Sequence, residues 1–358
     1  MSKFINLHNS MKRLLIFCMV FIFACCKEDK QAFLQKSTTM SAQAKGVTEA
    51  VTDDWIWAGN QATNKIEIYD PGVEDWNSST ALKWSWKPEA AKGYSQYALD
   101  NWGLPTDFKV RTVNVWGGNH LVASCSNGLV TIASYPGGIK KWAYNLGFNP
   151  HGVELLPNGN IAVAATDKDS VLLFASSVGT DNLAHAAIRL NKAHAVLYDP
   201  VEHILWATGN DFVMAMQVGG TDAAPTLTEI PERRGRLNTT SSANPYGHDL
   251  SRDLNDPNIL WVSTNGGVYR FDKTTKAFTD APNLLNKTFV KGISRQQSGL
   301  FVLTRPDSEK TTELPDPVTS PTWCTRYVDI YSSDGYFQYY RTKNGAKFYK
   351  AKIFRTPY

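Results

Sequence analysis

Asn160-Ile161-Ala162-Val163-Ala164 is followed, after a polar turn, by Ser170-Val171-Leu172-Leu173-Phe174, and this pair of apolar runs recurs along the chain. The first run returns as Asn119-His120-Leu121-Val122-Ala123, His203-Ile204-Leu205-Trp206-Ala207, Asn258-Ile259-Leu260-Trp261-Val262 and Gly299-Leu300-Phe301-Val302-Leu303. The second returns as Gly128-Leu129-Val130-Thr131-Ile132, Phe212-Val213-Met214-Ala215-Met216 and Gly267-Val268-Tyr269-Arg270-Phe271. Asp54-Trp55-Ile56-Trp57-Ala58 with Lys65-Ile66-Glu67-Ile68-Tyr69 is a sixth copy. Short β-branched and aromatic runs broken by Gly, Asn, Asp and Pro read as strands, and no stretch carries the helical period.

Neighbouring copies mostly lie roughly 40 to 55 residues apart, which is the period of a four-stranded propeller blade. The expectation is therefore an all-β body over 53–358, a six-bladed β-propeller. A pair of β-sandwiches is the alternative, but it does not predict one segment type repeated six times. The first copy lacks a strand before Trp55, while Lys347-Phe348-Tyr349-Lys350-Ala351-Lys352-Ile353-Phe354 is a spare one at the C-terminus. The last strand is expected to complete the first blade and close the ring, removing the exposed sheet edges.

Ahead of the body, Lys12-Arg13, the apolar stretch Leu14 to Phe23 and Ala24-Cys25 have the three parts of an export signal, too short to span a membrane. Residues 1–24 are read as a signal peptide, with Met1 or Met11 as its start, and 25–52, poor in aromatics, as a flexible tether. Ile22-Phe23-Ala24-Cys25 resembles the lipobox of bacterial lipoproteins, which implies a diacylglycerol on Cys25. Lys27-Glu28-Asp29-Lys30 resembles the acidic export tag of lipoproteins of Bacteroidetes-type bacteria. The resemblance places the protein at the outer membrane or cell surface of a Gram-negative cell, held to the membrane by a lipid anchor only. Beyond Cys25-Cys26, only Cys125 and Cys324 remain in the body, and both are read as buried, unbonded strand residues. With a net charge of +4 and no Lys/Arg run longer than two, the chain carries no nucleic-acid footprint.

The body also resembles a family of secreted bacterial six-bladed propeller lipoproteins described as a domain of unknown function. Ala62-Thr63-Asn64, Asn149-Pro150-His151, Gly247-His248-Asp249-Leu250, Thr304-Arg305-Pro306-Asp307, Thr322-Trp323-Cys324 and Phe348-Tyr349-Lys350-Ala351 carry the resemblance through their shared order. It implies six blades and no established activity.

In a propeller the first strand of each blade lines the central channel. Aligning the second strands puts His151 nine residues before Asn160, His194 nine before His203 and Arg111 nine before His120. With a one-residue difference in turn length, His248 and Lys291 take the same place in the fifth and sixth blades, and Lys350 takes it in the closing strand. The expectation is one circle of Arg111, His151, His194, His248, Lys291 and Lys350 around a channel mouth. Like charges converging there repel unless an anion, a metal or carboxylates join them.

The facing loops offer Asn60, Gln61, Asn127, Asp167, Asp169, Asn210, Asp211, Asn265, Arg305 and Asp307 as ligand-binding partners, with Trp102 either stacking on a sugar or simply packing. Trp84, Trp86, Trp142, Trp206 and Trp261 read as core. The stretches Asp307 to Pro321 and Arg234 to Tyr246 read as a flap and a wall beside the ring.

Three chemistries fit. An anionic glycan fragment could be cleaved by a uronate lyase, with Arg111, Lys291 or Arg305 neutralising the carboxylate and His151, His194 or His248 acting as base or acid. The same histidines could instead hold a divalent metal, the only cofactor the residues suggest, with Gln61 or Asp249 as a further ligand. A glycosidase would want two facing carboxylates, and Asp167, Asp211 and Asp307 sit on different blades. A non-catalytic binder of an anionic glycan or another small polar ligand, or a protein-interaction scaffold, needs the ring but no placed base. Serine-hydrolase, phosphate-loop, dinucleotide and calcium-loop signatures are absent.

Overall fold

In the computed structural model the chain divides into Met1–Thr52 and Asp53–Tyr358. The structure describes residues 53–237, 245–310, 312–313 and 322–356. The signal peptide, Cys25, the tether and most of the flap and wall therefore lie outside the described residues.

The strands form six antiparallel sheets of four strands, the fourth extended by the two-residue strand Gly235–Arg236. The sheet containing Ile56–Asn60, Lys65–Tyr69 and Leu82–Trp86 is completed by Phe348–Ile353 from the C-terminus, so the expected ring closure is present. The innermost strands are Pro105–Thr112, Pro150–Leu155, Ala195–Asp199, Gly247–Arg252, Gly292–Arg295 and Phe348–Ile353, each adjacent to the next in a closed circuit.

Alternation along the strands explains why the ring holds. Successive side chains leave a strand on opposite faces, and in a radial array those faces are different seams between blades. Leu121 and Ala123 therefore pack with Trp57, Ile66, Ile68 and Trp86 of blade one. Val122 between them packs with Val153, Ile161 and Val163 of blade three. Leu205 and Ala207 likewise face blade three, while Trp206 faces Leu260 and Phe271 of blade five. Trp261, Phe301 and Leu303 fill the next seam, and Val302, Ile330, Ile56 and Phe348 fill the last. Each of the six seams thus carries its own apolar cluster, and non-directional burial of that surface drives the assembly.

Cys125 and Cys324 are buried and free. Among the described residues no helix is long and apolar enough to cross a membrane. The α-helix Gln96–Asp100 is started by Ser95, whose hydroxyl accepts from the Ala98 amide, and it lies in the loop leading to blade two.

Candidate functional site at the channel mouth

The inner strands begin at one end of the channel and finish at the other. At the starting end, four residues of the predicted circle meet. His151 Nδ1 lies 2.9 Å from the Tyr349 hydroxyl, which lies 3.0 Å from His194 Nε2. His194 Nε2 is 3.2 Å from His248 Nδ1, and His248 Nε2 is 2.7 Å from both Asn265 Oδ1 and Lys291 Nζ. The result is a continuous polar chain from Lys291 through His248, His194 and Tyr349 to His151, drawn from five blades. Tyr246 closes over His194 and His248, with ring centroids 5.3 Å from each.

Close approach of the strands makes this possible. A Cβ at Gly152 would stand 2.7 Å from Ala195 Cα and 2.9 Å from the His194 carbonyl oxygen, so glycine is required beside His151. The His151 and His194 ring centroids are consequently only 4.1 Å apart.

His194, His248 and Tyr349 are buried, whereas His151, Lys291, Tyr246 and Asn265 keep partial access to solvent. Burial, then the positive Lys350 and Lys291, pushes the His151 imidazole down to about 3. Burial and the neighbouring imidazoles lower His194 well below its usual range, and burial with Lys291 does the same to His248. Burial also lowers Lys291 to about 8 against the opposing pull of Glu309, and holds Tyr349 protonated, well above the usual phenol range. The three histidines are therefore neutral at physiological pH, beside an ammonium that is easily discharged.

One layer deeper, Lys350 donates to the His151 carbonyl oxygen at 3.1 Å and lies 3.4 Å from Asp249. Lys352 bridges Asp249 at 2.7 Å and Asp107 at 3.1 Å, and Lys109 meets Asp107 at 2.8 Å. Burial opposes the charge on Asp107, but Lys109 and Lys352 outweigh it and hold the carboxyl well below its usual range. Lys350 is thus a fully buried strut beneath the mouth and not a member of its rim, which corrects the expected circle. Tyr349 takes its place: Phe348 pairs with Asn60 as Pro150 pairs with Ala165 and Gly247 with Thr264, each just before a one-residue register shift, so Tyr349 is the equivalent of His151 and His248.

Arg111 is the second correction. Its guanidinium is bidentate on Glu154, at 2.9 Å from Nε to Oε1 and 3.1 Å from Nη2 to Oε2, at the far end of the channel. Pro105 pairs with Cys125 but Pro150 with Ala165, so the first hairpin of blade two is five residues longer than that of blade three. A count of nine back from His120 therefore stops five residues short of the mouth and lands on a residue paired directly with His120. From Thr106, which donates to the Pro150 carbonyl at the mouth, five strand residues carry Arg111 about 16 Å away.

Of the loop residues, Asn265 alone joins the chain. Asn60 spends its amide on Glu67, Ala62 and Lys347, and Gln61 on Pro105, Trp323 and Cys324. Trp102 packs on Trp86 with 5.3 Å between centroids and donates to the Asn64 carbonyl, leaving 8% of its surface exposed, too little for a stacking platform. Asp307 is buried on Thr325 at 2.5 Å, Arg305 is held by Glu313 and the Thr288 carbonyl, and Asp211 accepts from Asn210. Asp167 and Asp169 act electrostatically on Tyr246, which places them beside the mouth.

Among the described residues no group of three or more His, Cys, Asp or Glu side chains is arranged to hold a metal ion. The histidine cluster exists, but four of its six ring nitrogens, His151 Nδ1, His194 Nε2 and both of His248, face one another, Tyr349, Asn265 and Lys291.

No curated protein matches the chain. A crystal structure of a protein of unknown function from Bacteroides caccae superposes with a TM-score of 0.53 at 11% identity, covering 85% of this chain and 99% of that one, a likeness of fold alone. A sequence family described as a "Family of unknown function (DUF6528)" matches residues 9–313, and the protein belongs to that family.

Proposed function

We propose that the mouth bearing His151 and Lys291 takes an anionic, uronate-type glycan fragment and cleaves it by β-elimination, on a protein anchored at the cell surface through Cys25. The observation that carries this reading is the hydrogen-bonded chain joining Lys291 to His151, with a cation at one partly exposed end and a neutral imidazole at the other.

In this reading the Lys291 ammonium receives the substrate carboxylate, which stabilises the negative charge developing when the adjoining carbon loses its proton. His151 takes that proton and returns it to the departing glycosidic oxygen. A carbon–carbon double bond forms as the carbon–oxygen bond breaks, and the protein ends unchanged.

Lys291 is one of the charges that depress His151. A bound carboxylate offsets it and raises the basicity of His151, so the base becomes competent when the substrate arrives. Tyr349, held protonated, orients His151 through Nδ1, and His248 with Asn265 orients Lys291.

The test is a panel of uronate-containing polysaccharides followed by ultraviolet absorbance of the unsaturated uronide. Turnover is expected with the wild type, lost in His151→Ala with ligand affinity retained. Binding without any turnover would replace the lyase with a glycan-binding protein, and absence of both would remove the glycan. Anchoring is checked by fatty-acid labelling, which Cys25→Ala should abolish.

A further inference from the structure

At the opposite end of the channel a cavity of about 240 Å³ opens between the last residues of the inner strands, lined by Asp199, Val201, Arg252, Asp253, Leu254, Pro257, Gln297 and Arg355. A smaller one of about 70 Å³ shares Arg252, Leu254 and Arg355 with it and reaches inward to Lys109 and Lys352.

The charges of this mouth pair off almost completely. Arg111 is bidentate on Glu154, Lys273 meets Asp199, Arg295 lies 2.5 Å from Asp253, and Arg355 lies 3.2 Å from Asp54. Arg252 is left over. Among the described residues its half-buried guanidinium has no hydrogen-bond or ion-pair partner, and each carboxylate beside it is already engaged. A guanidinium withdrawn from water and unpaired is costly, and it presents a planar fork suited to an oxyanion.

We infer that this cavity is a second ligand site, separate from the histidine mouth, that binds a small monocarboxylate with an apolar body, its carboxylate on Arg252. One uncompensated positive charge selects a monoanion, because Asp199 and Asp253 in the same wall repel a dianion such as phosphate. Val201, Leu254 and Pro257 line the remainder and favour an apolar body over a hydroxylated one. A cavity near 150 Å³ accommodates benzene, so this one takes a ligand of about ten non-hydrogen atoms.

Benzoate is a suitable probe, with benzyl alcohol as its neutral counterpart and inorganic phosphate as the dianion, titrated calorimetrically into the full-length protein at constant ionic strength. Benzoate is expected to bind with a Kd of about 1 mM, a common affinity for a small single-anchor ligand. Arg252→Gln should weaken it about tenfold or more, since a charge-assisted hydrogen bond is lost. Arg252→Lys should retain part of the affinity, and Lys291→Gln at the other mouth should leave it unchanged. Circular dichroism of each variant separates lost binding from lost folding. The inference is overturned if benzoate does not bind, if folded Arg252→Gln binds it as well as the wild type, if Lys291→Gln abolishes binding, or if benzyl alcohol or phosphate binds as tightly.

Discussion

Lys291 Nζ stands 2.7 Å from Nε2 of His248, so close that the two cannot both carry charge without repulsion. That relationship ties the charge state of one mouth to its geometry. It also makes the mouth sensitive to acid.

His151, His194 and His248 all bind protons less readily in the folded protein than in an unfolded chain, where imidazole titrates near 6.5. Between the two values the unfolded state holds more protons, so their stability contribution is full above about pH 6.5 and declines as pH falls toward the His151 value of about 3. Each buried imidazole contributes a slope of up to about 1.4 kcal/mol per pH unit. Urea unfolding should show a lower midpoint at pH 5 than at pH 7, before most carboxylates titrate. His248→Gln should flatten that slope.

Gly152 offers a test of how closely the strands must approach. An added methyl would meet Ala195 Cα at 2.7 Å. Gly152→Ala is expected to cost about 1–3 kcal/mol by overpacking and to part His151 from His194. Thermal denaturation reads the first effect, and loss of glycan turnover or affinity reads the second.

Blade number and ring closure were legible in the sequence because the second strands, such as 161–165 and 204–208, lie in every blade and are buried on both faces. The positions of His151, His194, His248 and Lys291 followed from counting back across short hairpins. Arg111 did not, because the longer hairpin of blade two breaks the count. Tyr349 was missed because the closing strand pairs with Ile56–Asn60 from the other end of the body, so no hairpin links the two and there is nothing to count back across. The cavity at the other mouth depends on which ion pairs form, which no spacing rule encodes.

The buried ladder under the mouth should be brittle. Asp249 answers both Lys350 and Lys352, and all three are buried. Removing one partner of a buried pair leaves an uncompensated charge, so Asp249→Asn should destabilise by about 3–5 kcal/mol in guanidinium unfolding. Arg270→Ala, which removes a surface pair with Asp256, should cost less than about 1 kcal/mol.

Closure by Phe348–Ile353 covers the edge of Ile56–Asn60 and supplies Phe348 to the seam between blades one and six. Deleting residues 348–358 is expected to expose that edge. The truncated protein should aggregate or lose its cooperative transition in size-exclusion and thermal measurements. A monomer with an unchanged transition would show that the strand is dispensable.

The proposed chemistry depends on a His151 imidazole that is neutral when the mouth is empty and gains basicity when an anion joins Lys291. Nitrogen-15 NMR titration of the imidazoles, with and without an acidic oligosaccharide, measures this directly. The expected result is a His151 that stays neutral down to below pH 5 in the free protein and titrates at higher pH once the oligosaccharide is bound. Ordinary titration near pH 6.5, unaffected by the oligosaccharide, would contradict it.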